Sequence, residues 1–167
     1  MTTLSPRVRA AAPGDCAQLA DIYNHYILGS IATFEEVPVE PSTFTERLRA
    51  SESAELPWLI ADEGDALLGY AYASKWQGRC AYRYSVETTV YVAAACRSRG
   101  IGSLLYEALL AKLAASGLHA AIAGISLPNE ASIRLHERFG FEKVAHFREV
   151  GFKYGNWIDV GYWERLL

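Results

Sequence analysis

Long apolar runs are missing from this chain: no segment reaches the roughly 18 consecutive apolar residues of a membrane helix. Met1 to Ala10 holds no apolar stretch of signal-peptide length, so the expected location is the cytoplasm. Cysteine is sparse. Cys16, Cys80 and Cys96 are an odd number at unrelated spacings, which fits reduced thiols better than a disulfide framework or a zinc site. The four histidines, His25, His119, His136 and His146, lack both close helical spacing and adjacent cysteines, so no metal is expected. Blocks of lysine or arginine are absent and the formal net charge is only -3, which argues against a nucleic-acid or anionic-membrane surface and leaves a small or neutral partner. Low-complexity tracts, internal repeats and linkers rich in Gly, Ser or Pro are absent too. What remains is a chain of 167 residues, 51% of them hydrophobic, expected to form one domain over residues 1–167.

The elements alternate in kind. Val8 to Ala11 opens as a short strand, and Pro13-Gly14-Asp15 introduces a helix whose apolar positions Leu19, Ile22, Tyr23, Tyr26 and Ile27 follow the 3.6-residue period to about Gly29. A second helix is expected from Thr43 to about Ser51, because Thr43-Phe-Thr-Glu46 has the form of a capping box. Trp58 to Asp62 and Ala66 to Ser74 flank Glu63-Gly64-Asp65 as an antiparallel hairpin, and Tyr84 to Val92 continues the sheet. Ile101, Leu104, Leu105, Ala108, Leu109 and Leu113 mark one helix face, ended by Gly117. A buried strand, Ala120 to Ser126, follows. Asn129 caps a helix from Glu130 to Phe139, which Gly140 stops before aromatic-rich strands around Glu142 to Phe152 and Trp157 to Glu164. The expectation is a mixed α/β sheet, mostly antiparallel, with one parallel step between Tyr84–Val92 and Ala120–Ser126.

Between that strand and helix lies Arg97-Ser98-Arg99-Gly100-Ile101-Gly102. A glycine-containing turn into a helix presents unpaired N–H groups and the positive end of the helix dipole to an anion, with Arg97 and Arg99 adding charge. Glycines at such a turn are equally explained as structural, and the pattern is neither a P-loop nor Gly-x-Gly-x-x-Gly.

Arg97-x-x-Gly100-x-Gly102 after Val90-Tyr91-Val92 resembles the coenzyme A motif of the Gcn5-related N-acetyltransferase superfamily. The resemblance implies a splayed parallel strand pair, backbone contacts from Val90, Tyr91 and Val92 to the pantetheine, and a pyrophosphate held by Arg97, Ser98, Arg99, Gly100, Ile101, Gly102 and Ser103. Many relatives carry a proline ahead of the loop; here Ala93-Ala94-Ala95-Cys96 stands there. The second half of the signature, Asn129-Glu-Ala-Ser132-Ile-Arg-Leu-His136-Glu-Arg-Phe-Gly140-Phe141, implies that Asn129 and Ser132 meet the cofactor, acetyl-CoA. It also puts His136 where many relatives have a tyrosine acid near the sulfur.

Tyr23-Asn24-His25-Tyr26, Ala32-Thr33-Phe34-Glu35, Val86-Glu87-Thr88-Thr89 and Gly151-Phe152-Lys153-Tyr154-Gly155-Asn156-Trp157-Ile158-Asp159 look like phosphinothricin N-acetyltransferases and the related methionine sulfone or sulfoximine acetyltransferases. The acceptor so implied is the α-amine of a small amino acid. Such an amine attacks only as the free base, so a general base is required. Glu87, in a strand of Val, Thr and Tyr, is the candidate, acting directly or through one water, although a solvent-facing position on an alternating strand is the competing reading. A backbone N–H near Val90 or Tyr91 can stabilise the oxyanion, and His136 can protonate the departing thiolate. Phe34, Glu35 and Tyr82 match positions lining the family's acceptor pocket. Arg83, Lys75 or Lys153 can meet an acceptor oxygen, though ordinary core or solvated surface accounts for them as well. Tyr154, Trp157, Tyr162 and Trp163 read as sheet packing or a dimer surface, and the family implies a homodimer. The alternatives are a protein N-terminal or lysine acetyltransferase and a non-catalytic acetyl-CoA binding module.

Overall fold

Seven strands in the order β1-β2-β3-β4-β5-β7-β6 form one sheet in the computed structural model, which describes residues 5–167. Met1–Leu4, the start of the segment read as lacking a leader, lie outside the described residues. The strands are β1 (Arg7–Ala10), β2 (Trp58–Glu63), β3 (Ala66–Lys75), β4 (Ser85–Val92), β5 (Ala120–Leu127), β6 (Glu142–Lys153) and β7 (Asn156–Leu166). The helices are α1 (Cys16–Gly29), α2 (Pro41–Ser53), α3 (Ile101–Ala115) and α4 (Glu130–Arg138). Every pairing is antiparallel except β4 with β5. The expected mixed sheet with one parallel step is therefore what forms.

Side-chain alternation along the strands divides the core into two layers. Leu59 and Ala61 of β2, with Leu68, Ala71 and Ala73 of β3, face α3, where Leu105, Leu109 and Leu113 form an i, i+4 stripe with no exposed surface. Burying each of those leucines contributes about 1.5–3 kcal/mol. Trp58, Ile60, Leu67 and Tyr70 face the other way, onto Leu19, Tyr23 and Ile27 of α1 and Phe44 of α2. Among the described residues no helix is long and apolar enough to cross a membrane.

One helix start differs from the sequence expectation. The capping box at Thr43 is not used: α2 begins two residues earlier at Pro41, with Glu40 as N-cap, and the Thr43 N–H donates to the Glu40 carbonyl (3.0 Å). Pro41 explains the shift, since its fixed φ and missing N–H suit the first helical position. The other punctuation works as read. Gly117 and Gly140 take positive φ (76° and 78°) after their helices, and the Asn129 side chain accepts the Ser132 N–H (3.2 Å) at the head of α4.

The parallel step positions everything that follows. Its pairing covers only Ser85↔Ala120, Val86↔Ala121 and Glu87↔Ile122. Beyond Glu87, β4 continues against β3 and β5 against β7, so the two strands stay extended but no longer pair with each other. The sheet opens there into a gap.

Candidate active site

The loop after β4 carries the features of an anion site. A 3-10 turn at Ala94–Cys96, anchored by buried Cys96 and by the Ala93 N–H on the Leu68 carbonyl (2.8 Å), sets its approach in place of a proline. Ser98 and Gly100 then take φ of 63° and 80°. Gly100 is the N-cap of α3, and no side chain caps that helix. Its first helical bond of the i to i−4 kind runs from Leu104 N to Gly100 O (3.0 Å), which leaves the Ile101, Gly102 and Ser103 N–H groups for a ligand. The two glycines serve different ends. Gly100 supplies the left-handed conformation, whereas a Cβ at Gly102 would press on Leu135 of α4 (3.3 Å).

The two arginines are held at the flanks of the loop. Arg97 lies over the Tyr26 ring (5.4 Å) and 3.5 Å from His25 Nε2; Arg99 pairs with Glu63 (3.3 Å). The Tyr26 hydroxyl donates to the Val92 carbonyl (2.7 Å), leaving that residue's N–H as its remaining backbone group. The strand gap, the uncapped helix start and the flanking guanidinium groups together suit a long ligand with a diphosphate.

On the α1 face of the sheet, a cavity of about 450 Å³ is lined by Glu87, Gly124, Ser126, Tyr162, Phe147, Val150, Val160 and the loop Ile31 to Phe34. Glu87 is half-buried, and desolvation raises its carboxyl pKa above the usual value. Of the expected acceptor contacts, Phe34 lines this cavity. Glu35 is engaged by Arg47 (2.6 Å), while Tyr82 and Arg83 are exposed on a 3-10 turn, Arg83 stacked on Tyr84 (4.6 Å). Lys153 points elsewhere: its ammonium is buried against backbone carbonyls, a role corrected below.

His136 stands on the opposite face and is only 3% exposed. Its Nδ1 donates to the Ser132 carbonyl (2.7 Å), so in the neutral ring Nε2 accepts the Tyr106 hydroxyl (2.6 Å). Thr88 in turn reaches the Tyr106 oxygen (2.9 Å), with the Ile122 carbonyl 3.4 Å away. Burial lowers the His136 pKa, opposed by the bond to Ser132. Because Thr88 and Glu87 alternate, the histidine communicates with β4 at the point where the strands part, but from behind.

Tyr162 needs a correction. Read as packing or dimer surface with Trp163, it lines the cavity, because alternation on β7 sends Trp163 into the core and Tyr162 to the other face. Gly124, its cross-strand partner, was also overlooked. An isolated glycine inside a buried strand was the available signal, since it marks a place where something must come close. A Cβ there would meet Tyr162 (3.1 Å) and Glu87 Oε1 (3.4 Å).

Comparison with known proteins agrees with this geometry. The acetyltransferase (GNAT) domain profile matches residues 8–161. A phosphinothricin N-acetyltransferase of Streptomyces coelicolor is 46% identical over 99% of this chain and 98% of its own. An L-methionine sulfoximine/L-methionine sulfone acetyltransferase of Salmonella typhimurium is 34% identical over 96% and 94%. A phosphinothricin acetyltransferase of Sinorhizobium meliloti, crystallised with acetyl-CoA, superposes with a TM-score of 0.94 at 34% identity, covering 98% of this chain and 89% of that one. A profile match over nearly the whole chain, relatives aligned end to end and a sheet split where the cofactor motif begins make this chain a member of the GNAT acetyltransferase family, an N-acetyltransferase that uses acetyl-CoA.

Proposed function

We propose that this enzyme acetylates the α-amine of a small amino acid or analogue of the phosphinothricin, methionine sulfone or methionine sulfoximine type. One observation carries the reading: Glu87 is both the last β4 residue paired with β5 and a wall of the 450 Å³ cavity, so the donor gap and the acceptor cavity meet at its carboxylate. Names of the relatives that align end to end supply the acceptor class.

Acetyl-CoA brings an acetyl thioester. The Ile101, Gly102 and Ser103 N–H groups and Arg97, Ser98 and Arg99 hold its diphosphate, with Val90, Tyr91 and Val92 along the gap and Asn129 and Ser132 on the α4 side. Glu87 takes a proton from the acceptor ammonium, directly or through one water, and so supplies the free amine that attacks the thioester carbonyl. The Val90 backbone N–H meets the negative charge that develops on the carbonyl oxygen, whereas Tyr91 falls in a hydrogen-bonded pair with Tyr70 and directs its N–H to β3. As the carbon–sulfur bond breaks, the amine nitrogen gives up its remaining extra proton and the thiolate gains one; for His136 to supply it by way of the Tyr106 hydroxyl, Nε2, which accepts that hydroxyl in the neutral ring, must first take up a proton. Cys16 and Cys96 are buried and exposed Cys80 does not line the cavity, which supports direct transfer without an acetyl-enzyme.

Residues 1–167 act as one domain in this reading. The three free cysteines favour the cytoplasm. Exposed Val144, Phe147, Val150, Phe152 and Trp157 on the β6–β7 hairpin favour a homodimer across that edge, which light scattering at micromolar concentration checks. The decisive experiment offers phosphinothricin, methionine sulfone, methionine sulfoximine, an amino-acid panel and peptides, and follows thiol release. Turnover with free amino acids supports the proposal. Preference for peptides, or binding with the thioester left intact, overturns it.

A further inference from the structure

The loop Ser30 to Glu36 forms one wall of the acceptor cavity yet has no helix or strand of its own. Side chains from five elements hold it. Ser126 of β5 donates to the Ile31 carbonyl (2.6 Å), Tyr91 of β4 to the Ala32 carbonyl (3.3 Å), Tyr23 of α1 shares a bond with the Thr33 hydroxyl (2.7 Å), and Arg47 of α2 pairs with Glu35 (2.6 Å). The fifth element, β6, contributes the most. Lys153 Nζ donates to the carbonyls of Ile27 (2.9 Å), Ser30 (2.9 Å) and Thr33 (2.8 Å), using all three of its protons.

Lys153 is only 1% exposed, and among the described residues no salt bridge involves its ammonium. A buried charge with no salt-bridge partner, eased only at longer range by Glu36, needs another source of negative potential. The end of α1 provides it: Ile27 lies in the last turn and Ser30 is the C-cap, where unpaired carbonyls and the helix dipole favour a cation. Two residues earlier, Gly151 leaves room for Phe34. A Cβ at 151 would collide with the tip of the Phe34 ring, Cζ nearest and Cε1 and Cε2 each 2.7 Å away.

We infer that Gly151 and Lys153 are positioning residues of the acceptor site: the hairpin motif fixes the Phe34 wall of the cavity and touches no reacting atom. The inference rests on the cavity being the acceptor site, as proposed above. It also gives the Gly151-Phe-Lys153 segment a physical purpose that differs from binding an acceptor oxygen.

Two variants test it, Lys153→Met and Gly151→Ala, with steady-state kinetics in both substrates and amide hydrogen exchange of the whole enzyme. A small displacement of a positioning wall predicts an acceptor KM raised about tenfold or more in each, with the KM for acetyl-CoA within about twofold of the wild type. In Lys153→Met, residues 30–36 exchange faster while β4 is unchanged. Adding Phe34→Leu to Gly151→Ala removes the collision and recovers part of the acceptor KM. Parallel changes in both KM values, no change in either, or unaltered exchange at 30–36 overturn the inference. The exchange arm needs no acceptor, so it separates failure of the clamp from failure of the functional reading; if Lys153→Met does not fold, Gly151→Ala and its Phe34→Leu partner decide alone.

Discussion

Replacing Tyr106 by phenylalanine removes one oxygen from the buried bridge between α4 and β4 and almost no volume. His136 Nε2 then loses the donor 2.6 Å away, and at 3% exposure the ring has little access to replacement water. Thr88 fares better, because the Ile122 carbonyl is 3.4 Å from its hydroxyl. The loss is therefore one unsatisfied buried acceptor, about 1–3 kcal/mol. For a chain of this length about 1 kcal/mol moves the thermal midpoint by roughly 2–4 °C, so Tyr106→Phe should lower Tm by roughly 2–12 °C in calorimetry. The variant should also titrate His136 differently by NMR, since the ring has lost a fixed partner, and should slow turnover with little change in acceptor KM. A Tm and a His136 titration both equal to the wild type would refute the bridge. Lower Tm with unchanged kcat would keep the bridge as structure and remove it from the proton path.

Gly100→Ala forces an alanine to a φ of 80°, costing about 1–2 kcal/mol or moving the loop; isothermal titration should show weaker acetyl-CoA binding, whereas Gly14→Ala, with open space around it, should not. The Arg7 guanidinium first, and Arg9 with it, hold the buried Asp62 carboxyl below its ordinary range, against the effect of burial. A lowered carboxylate pKa contributes stability that is full above the unfolded value near 4 and lost as pH falls through the folded value. Thermal melts of the wild type should therefore fall steeply below about pH 4, and Asp62→Asn should flatten part of that slope.

Most of the fold was legible because its signals are local. The caps at Asn129, Gly117 and Gly140, the Gly64-Asp65 turn and the apolar stripe of α3 each act within a few residues. The start of α2 was misread because two local signals, Pro41 and the Thr43 box, competed and the proline prevailed. The site was only half legible, for a different reason. The cofactor loop is contiguous in sequence, as is Glu87 with its strand. The acceptor cavity is assembled from loop 31–34, Gly124, Phe147 and Tyr162, whose proximity depends on strand order and on the register of β5 with β7. No spacing in the chain announces that Lys153 will sit beneath residues 27–33. Its basic character suggested an anion, and the carbonyls at the end of α1 took that place.

The claim that donor gap and acceptor cavity meet at a working carboxylate is tested most directly by the pH dependence of kcat/KM for wild type and Glu87→Gln. Burial raises the Glu87 pKa, so wild-type activity should climb with pH through a limb above the ordinary carboxylate range as the base ionises. Glu87→Gln should lose that limb and fall about 10²–10⁴-fold, with Tm at neutral pH unchanged or higher, because a raised carboxyl pKa means that the ionised form is disfavoured in the fold. Activity within a few-fold of wild type, with the same acid limb, would contradict the account.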